Sequence, residues 1–590
     1  MKNSKFQSLI SFAKTNEYKL SFLFILLFST SITVLLIWIN TSQDILGHSY
    51  RDVYFYLIEA LRFSGHSIGG YDYVNYLSPL IPFLTSLLFR LGFVNETSIF
   101  TVTGIFYILG VLGVYSLLKI RFKNLMAVFG AIIYAGFSIN LMWVANGTID
   151  VPSVSLTILS IYFFVLGVEK NQKYFYLAFP LAVLGFFAKY TAGLAIPLMI
   201  LYLISKPNIS YNIKKYSKNG IIGILAGVIM AIPFLAHFYI NKIPLGFVNQ
   251  AQDIASKTST LPDVNNNLFY YFTNIPRFIY NPNHILSYII IVIIIIGLLI
   301  GLYKAINILK NRYDNSNKFN NGKIKLMGKN TSNILVYVLL AINIILIALS
   351  FLTASKISFV YSELILFVSL FTFSYISNKI INIYSNKTKK FFNFDLLMFA
   401  WFLSYMIFFS AHLVKADRYF TTLAPTFAFI ATLSLSFILN SLDSLDSLGS
   451  LDSLISLKLS KVMKAKNIGL IKTLIPIVII ILFVISSFAY LTIDKHDSIV
   501  DNEKEVVNWL KVYDPNYDNK VIWAERGPIF TWYLQKEVLY VKWLTSPNEL
   551  STMMLANNTT YFISIHKKTN INGYLPVKEI GEVIVYKKTS

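Results

Sequence analysis

The chain has 590 residues, of which 55% are hydrophobic, 16% aromatic and only 14% charged. That is well below the roughly 25% charge of soluble domains and excludes an ordinary water-soluble fold. The net charge of +22 does not signal nucleic-acid binding, because the basic residues lie between apolar runs and form no continuous face. No cysteine is present, which excludes disulfides and thiolate metal sites.

Apolar windows long enough to cross a hydrocarbon core, which takes roughly 20 helical residues, recur along the chain. The first, 20–39, is longer than a signal-peptide core and has no small-residue cleavage site after it, so it reads as a retained anchor. The others predicted are 98–118, 125–144, 152–168, 174–188, 191–205, 219–239, 285–303, 333–351, 357–376, 396–412, 420–440 and 473–491, about thirteen in all. Leu77–Leu91 is apolar but short, holds Pro79 and Pro82 and ends near Arg90; it reads as a helix lying at the interface. Segment 442–460 repeats Ser-Leu-Asp units and reads as a tolerated linker.

Residues 492–590 change character, with shorter apolar runs and frequent charges. Glu503–Val512 predicts an amphipathic helix, Lys520–Trp523 and Val538–Val541 short strands, and Phe530–Leu534 a helical turn between them. The expected fold class is therefore a polytopic α-helical membrane protein with a small α/β C-terminal domain. The domains expected are 1–491, with a first outer loop at 40–97, and 492–590. Asn557-Asn558-Thr559-Thr560 offers weak glycosylation sequons.

The first outer loop carries Asp44, Asp52, Glu59 and Asp72. Asp44 and Asp72 read as solvated loop charges. Asp52 opens a helical stretch running to Arg62, so it suits either chemistry or a helix N-terminus. Asp150, in Asn-Gly-Thr-Ile-Asp-Val-Pro, precedes a helix opened by Pro152, and capping competes there too. Lys189 falls between two apolar spans, where snorkelling is the plainer reading. Lys415, Asp417 and Arg418 crowd the ends of two spans, where a local salt bridge is the plainer reading. Together, two acids and several bases converge on one membrane face: acids can activate an acceptor, and bases can hold a phosphate.

Four stretches carry a family resemblance. They are Asp52-x-x-x-Tyr56-x-x-x-Ala60-Leu-Arg followed by Ser78-Pro79-Leu80; Asp150 before a span; Gly185-Phe-Phe-Ala-Lys189-Tyr-Thr-Ala-Gly; and Lys415-x-x-Arg418-Tyr419 with Pro425. In this ordered set the chain resembles the polyprenyl-phosphate-sugar-dependent glycosyltransferases of the C-type membrane fold, nearest to the protein O-mannosyltransferase and lipid A aminoarabinose transferase group. It departs at Val53, where the family often has a second acid, and at Ser78, where it often has proline.

The resemblance implies a membrane enzyme that moves one sugar, with inversion, from a dolichyl or undecaprenyl phosphate carrier to a protein, lipid or glycan acceptor. Asp52 is then the general base, and Asp150 shares its cavity. Lys189, Lys415 and Arg418 face the carrier phosphate, and Tyr56 and Tyr419 line the cavity. No cofactor is required by any motif; a divalent metal stays open, with His237 as its candidate ligand. The partners are the lipid-linked donor, membrane lipids and the acceptor, with no nucleic acid. The rival is a transporter or lipid flippase, against which stand the single acidic outer loop and the lack of detectable half-repeats. An oligosaccharyltransferase ranks lower, because the Trp-Trp-Asp motif is absent.

Basic residues set the expected orientation. With the N-terminus inside, the groups Lys119/Arg121/Lys123, Lys170/Lys173, Lys206–Lys218, Lys304–Lys329, Lys379–Lys390 and Lys458–Lys472 all fall inside, and residues 492–590 outside. A reporter that works only in the cytoplasm should therefore be silent when fused after Ser590; activity there would reverse the topology.

Overall fold

A computed structural model describes residues 15–42, 52–66, 68, 77–206, 209–243, 245–246, 248, 267–319, 329–381, 386–412, 414–447, 465–493, 498–541, 545–565 and 571–589. Asp44 and Asp72 lie outside these residues, as does 448–464 of the Ser-Leu-Asp segment.

Apolar chain in hydrocarbon must bond its own backbone, and helices do so locally. The helices run α1 (Glu17–Ser42), α2 (Asp52–Ser64), α3 (Leu80–Arg90), α4 (Glu96–Leu118), α5 (Asn124–Gly136), α6 (Ser138–Trp143), α7 (Asp150–Glu169), α8 (Phe175–Ala188), α9 (Ala195–Ile204) and α10 (Ile209–Ile240). They continue as α11 (Tyr270–Thr273), α12 (Ile275–Ile279), α13 (Ile285–Phe319), α14 (Lys329–Leu352), α15 (Phe359–Ile381), α16 (Asn386–Ala411), α17 (Ala424–Ser447) and α18 (Ala465–Leu491). Among the described residues, 9 helices are long and apolar enough to span a bilayer. The protein is a multi-pass membrane protein.

Of the remaining predicted windows, 333–351 lies in α14, and the other three fall on shorter helices, for local reasons. Window 125–144 is two helices, because Phe137 takes an extended conformation (φ −60°, ψ 130°) between α5 and α6. Windows 174–188 and 191–205 become α8 and α9, joined through Lys189 and a 3-10 turn at Tyr190–Leu194. At 14 residues, α8 is only about 21 Å long. It still covers most of the depth of α7, because the 3-10 turn Gln172–Tyr174 extends it. Ion pairs mark the two levels: Lys189 meets Asp150 at the start of α7, and Lys206 meets Glu169 at its end, where Tyr202 also donates to Glu169 at 2.6 Å. Helix α3 has 11 residues, about 17 Å, too short to span and suited to the interface.

After α18 come α19 (Ser498–Tyr513), α20 (Gly527–Leu534) and α21 (Pro547–Ala556). They accompany strands β1 (Ile522–Ala524), β2 (Leu539–Tyr540), β3 (Tyr561–Ser564), β4 (Tyr574–Ile580) and β5 (Val583–Lys588). The sheet order is β2-β1-β3-β5-β4, with β1 parallel to β2 and β3, and β5 antiparallel to β3 and β4. Strands β3 to β5 and helix α21 were not foreseen. Tyr561–Ser564 is buried throughout, so it lacks the alternation that marks a half-exposed strand.

Helices α13 and α17 approach closely at Gly297. A Cβ at Gly297 would meet Ser434 Cα and carbonyl oxygen at 2.4 Å, both backbone atoms that cannot swing aside. Gly297→Ala should therefore destabilise the detergent-solubilised protein by about 1–3 kcal/mol, the usual cost of overpacking. Gly469→Ala, where nothing lies within 4 Å, is the control; equal melting temperatures for the two variants would contradict the close approach.

Candidate active site

Asp52 is the first residue of α2, where a carboxylate meets the positive end of the helix dipole. The helix is seated by its neighbour Val53, which is fully buried. Gly147 lies against it with φ +85°, and a Cβ there would stand 2.2 Å from Val53 Cγ2. Only glycine serves both that φ and that contact. The position where the resembling family often has a second acid is thus apolar packing in this chain.

The same loop delivers Asp150. Asn40 Nδ2 donates to the Ala145 carbonyl at 2.6 Å, fixing the loop to α1. Thr148 Oγ1 donates to Asp150 Oδ2 at 3.0 Å. Asp150 opens α7 and is only 1% exposed, so its charge needs partners. Lys189, held extended in the break between α8 and the 3-10 turn, donates to its Oδ1. Arg418 Nε stands 3.7 Å from its Oδ2.

Arg418 also reaches Asp52, with Nη2 3.5 Å from Oδ2. One guanidinium therefore bridges both acids. Lys189 Nζ lies 4.5 Å from the centre of the Tyr419 ring, and that ring stacks on Phe409 at 4.8 Å. Tyr419 accordingly lies under the cluster. Asp52, Asp150, Lys189 and Arg418, singled out in the sequence, form one contiguous site with Tyr419. The two acids differ in access: the Asp52 side chain is 30% exposed, that of Asp150 1%.

Other expectations come out differently. Lys415 lines a cleft of ≈ 340 Å³ with Met142, Trp143, Tyr270, Ala416, Asp417 and Arg418. Its ammonium, however, donates to the carbonyls of Phe409 (3.1 Å), Ser410 (2.6 Å) and His412, closing the C-terminus of α16. An ammonium has three donors, and three carbonyls take them. Burial lowers its pKa to about 8. Asp417 forms its salt bridge with Arg277 and accepts from Tyr270, instead of pairing with its neighbour Arg418. Tyr56 is 2% exposed, packed in the core, and neither it nor Tyr419 lines this cleft.

His237 lies away from the cluster, 3.6 Å from Glu59 Oε1 and beside the Phe63 ring. Among the described residues no group of three His, Cys, Asp or Glu side chains gathers to hold a metal. Sequence reasoning missed Thr148, Tyr270, Arg277 and His412. His412 packs edge-on to Tyr419, and burial lowers its pKa to about 4, so it stays neutral. Nothing in the linear pattern brings 270–277 to residue 417.

Known proteins share part of this chain's sequence and its fold. Residues 77–237, which include Asp150 and Lys189, match the family model of dolichyl-phosphate-mannose-protein mannosyltransferase. The crystal structure of ArnT from Cupriavidus metallidurans bound to undecaprenyl phosphate superposes with a TM-score of 0.55 at 10% identity, covering 95% of this chain and 97% of that one. The chain has the C-type membrane glycosyltransferase fold. The apo state of the same ArnT gives the same score, identity and coverage. The archaeal oligosaccharyltransferase AglB from Archaeoglobus fulgidus, in complex with an inhibitory peptide and a dolichol-phosphate, gives a TM-score of 0.46 at 12% identity, covering 91% of this chain and 69% of that one. Among curated proteins none matches the chain by sequence.

On this glycosyltransferase fold the geometry separates two kinds of base. Lys415→Met should lower the melting temperature, since the last carbonyls of α16 lose their donor, while leaving donor binding unchanged. A selective loss of donor affinity at full stability would instead return Lys415 to the phosphate.

Proposed function

We propose that this chain is an integral-membrane glycosyltransferase that takes one sugar from a polyprenyl-phosphate carrier and transfers it to an acceptor at the outer face, with inversion. The observation that carries this reading is Arg418 standing between Asp52 and Asp150, with Lys189 on the far side of Asp150.

The chemistry divides between the two acids. Asp150 is buried and held by Thr148, Lys189 and Arg418, so it suits orientation of the cations. Asp52 is the more open, so it suits contact with an acceptor. A hydroxyl or amine is a poor nucleophile until its proton has an acceptor, and the Asp52 carboxylate takes it as the new bond to the anomeric carbon forms. The anomeric carbon–oxygen bond breaks, and the electron pair leaves with the carrier phosphate, whose charge rises. Arg418 and Lys189 stabilise that charge, the guanidinium through its forked donors. A single displacement inverts the anomeric centre. A transporter is disfavoured, because the match at 77–237 is to a transferase family and the fold is that of a transferase.

Asp52→Asn keeps shape and helix capping but cannot take the proton. With dolichyl-phosphate mannose as the probe donor, it should bind donor normally and turn over roughly a hundredfold or more slower. Asp150→Asn should cost less. Near wild-type turnover in Asp52→Asn would refute the assignment, and a larger loss at Asp150 would move the base there.

A further inference from the structure

Helix α20 of the C-terminal domain packs between two cores, that of its own domain and that of the membrane helices. Phe530 and Leu534 join the buried cluster of the domain's own sheet. Ile529 and Trp532 instead belong to the core cluster of the membrane helices. Ile529, Trp532 and Tyr533 share a face at i, i+3, i+4, and this face is the docking surface.

Each contact lands on an element of the first outer loop or beside it. Trp532 Nε1 donates to Glu96 Oε1 in the first turn of α4 at 2.8 Å. The same indole stacks on Phe89 in the last turn of α3, with centroids 5.9 Å apart. Tyr533 meets Tyr54 of α2, hydroxyl to hydroxyl at 3.2 Å and ring to ring at 5.9 Å. Tyr54 is fully buried, and burial pushes its hydroxyl pKa up, so it stays a neutral hydrogen-bonding group.

Behind this face stands a charged support. Lys504 Nζ lies 5.2 Å from the centre of the Tyr533 ring. Arg526, just before α20, pairs with Glu503 of α19 at 3.2 Å, and both side chains are almost wholly buried. A buried pair of this kind costs desolvation and is kept where geometry matters, because removing either partner strands a charge. It ties the start of α20 to α19.

Tyr54 is two residues from Asp52, in the same first turn of α2. On its other side that turn is held by Val53 against Gly147. The tail thus grips the outward side of the turn that carries the acid, and the membrane domain grips the inward side. We propose that Tyr533 and Trp532 are positioning residues: by holding Tyr54, Phe89 and Glu96 they fix the first turn of α2, and so aim the Asp52 carboxylate at the site beside Arg418. Neither residue touches substrate. This inference rests on the reading of Asp52 as the base.

The test uses full-length enzyme in liposomes, dolichyl-phosphate mannose as donor probe and transfer to methanol as readout. Trp532→Ala and Tyr533→Ala should lower kcat roughly ten- to a hundredfold, the scale of a small misplacement of a reacting group. The KM for donor should not move, because Arg418 and Lys189 are untouched. Two gentler variants guard against misfolding. Trp532→Phe keeps the stack on Phe89 and loses the bond to Glu96, so its kcat should fall between wild type and Trp532→Ala. Glu96→Gln keeps an acceptor oxygen and should hold near wild-type kcat.

In an Asp52→Asn background Trp532→Ala should change kcat no further, since the group it aims is gone. An unchanged kcat in both alanine variants would overturn the proposal. So would a fall in kcat that persists undiminished in the Asp52→Asn background, or one accompanied by an equal loss of donor affinity. Full turnover in Asp52→Asn alone would instead sink the reading of Asp52 itself, whatever the tail variants do.

Discussion

One guanidinium organises one end of the helix bundle. Arg418 lies within 3.7 Å of Asp150 and 3.5 Å of Asp52, two acids brought by different helices from distant parts of the chain. Burying Asp150 without cations would be prohibitive in an apolar surrounding, so α7, the Lys189 break and the 417–422 turn are bound to meet. That meeting also fixes what the cluster can do. Under the proposed function, the two cations hold a phosphate and the more open of the two carboxylates accepts a proton.

The helix ends explain how a chain of apolar spans builds such a place. Asp52 and Asp150 both stand at helix N-termini, and Lys189 stands where α8 stops. Polar side chains in a bilayer protein are tolerated where helices begin and end, because water and the helix dipoles help there. Chemistry is therefore pushed to one level of the molecule. Lys415 belongs to the same level yet serves architecture, bonding the last carbonyls of α16.

Much of this was legible in sequence. The spans follow from apolar runs, and α2 from the pattern after Asp52. The resemblance implied that Lys189 and Asp150 share a cavity, but their ion pair was not foreseen, since snorkelling was the plainer reading of Lys189. What escaped depended on tertiary contact. Phe137 breaks a run whose average is apolar, and the polar residues beside the break, Ser138 and Asn140, are too few to end the apolar window. Arg277 takes Asp417 away from its neighbour Arg418, which no local rule predicts. His237 reads as a lone histidine in either case, and only its contact with Glu59 shows that it answers to α2 rather than to the acid cluster. The tail helix α20 looked like a turn between strands, whereas its two faces serve two cores.

The central claim is a single displacement in which Asp52 takes a proton and forms no bond to the sugar. It is tested most directly by the configuration of the product. With dolichyl-phosphate mannose as donor and methanol as acceptor, proton NMR reads the anomeric configuration of the methyl mannoside, which cannot mutarotate. The account predicts the configuration opposite to that of the donor; retention would contradict it and point to a glycosyl-enzyme intermediate.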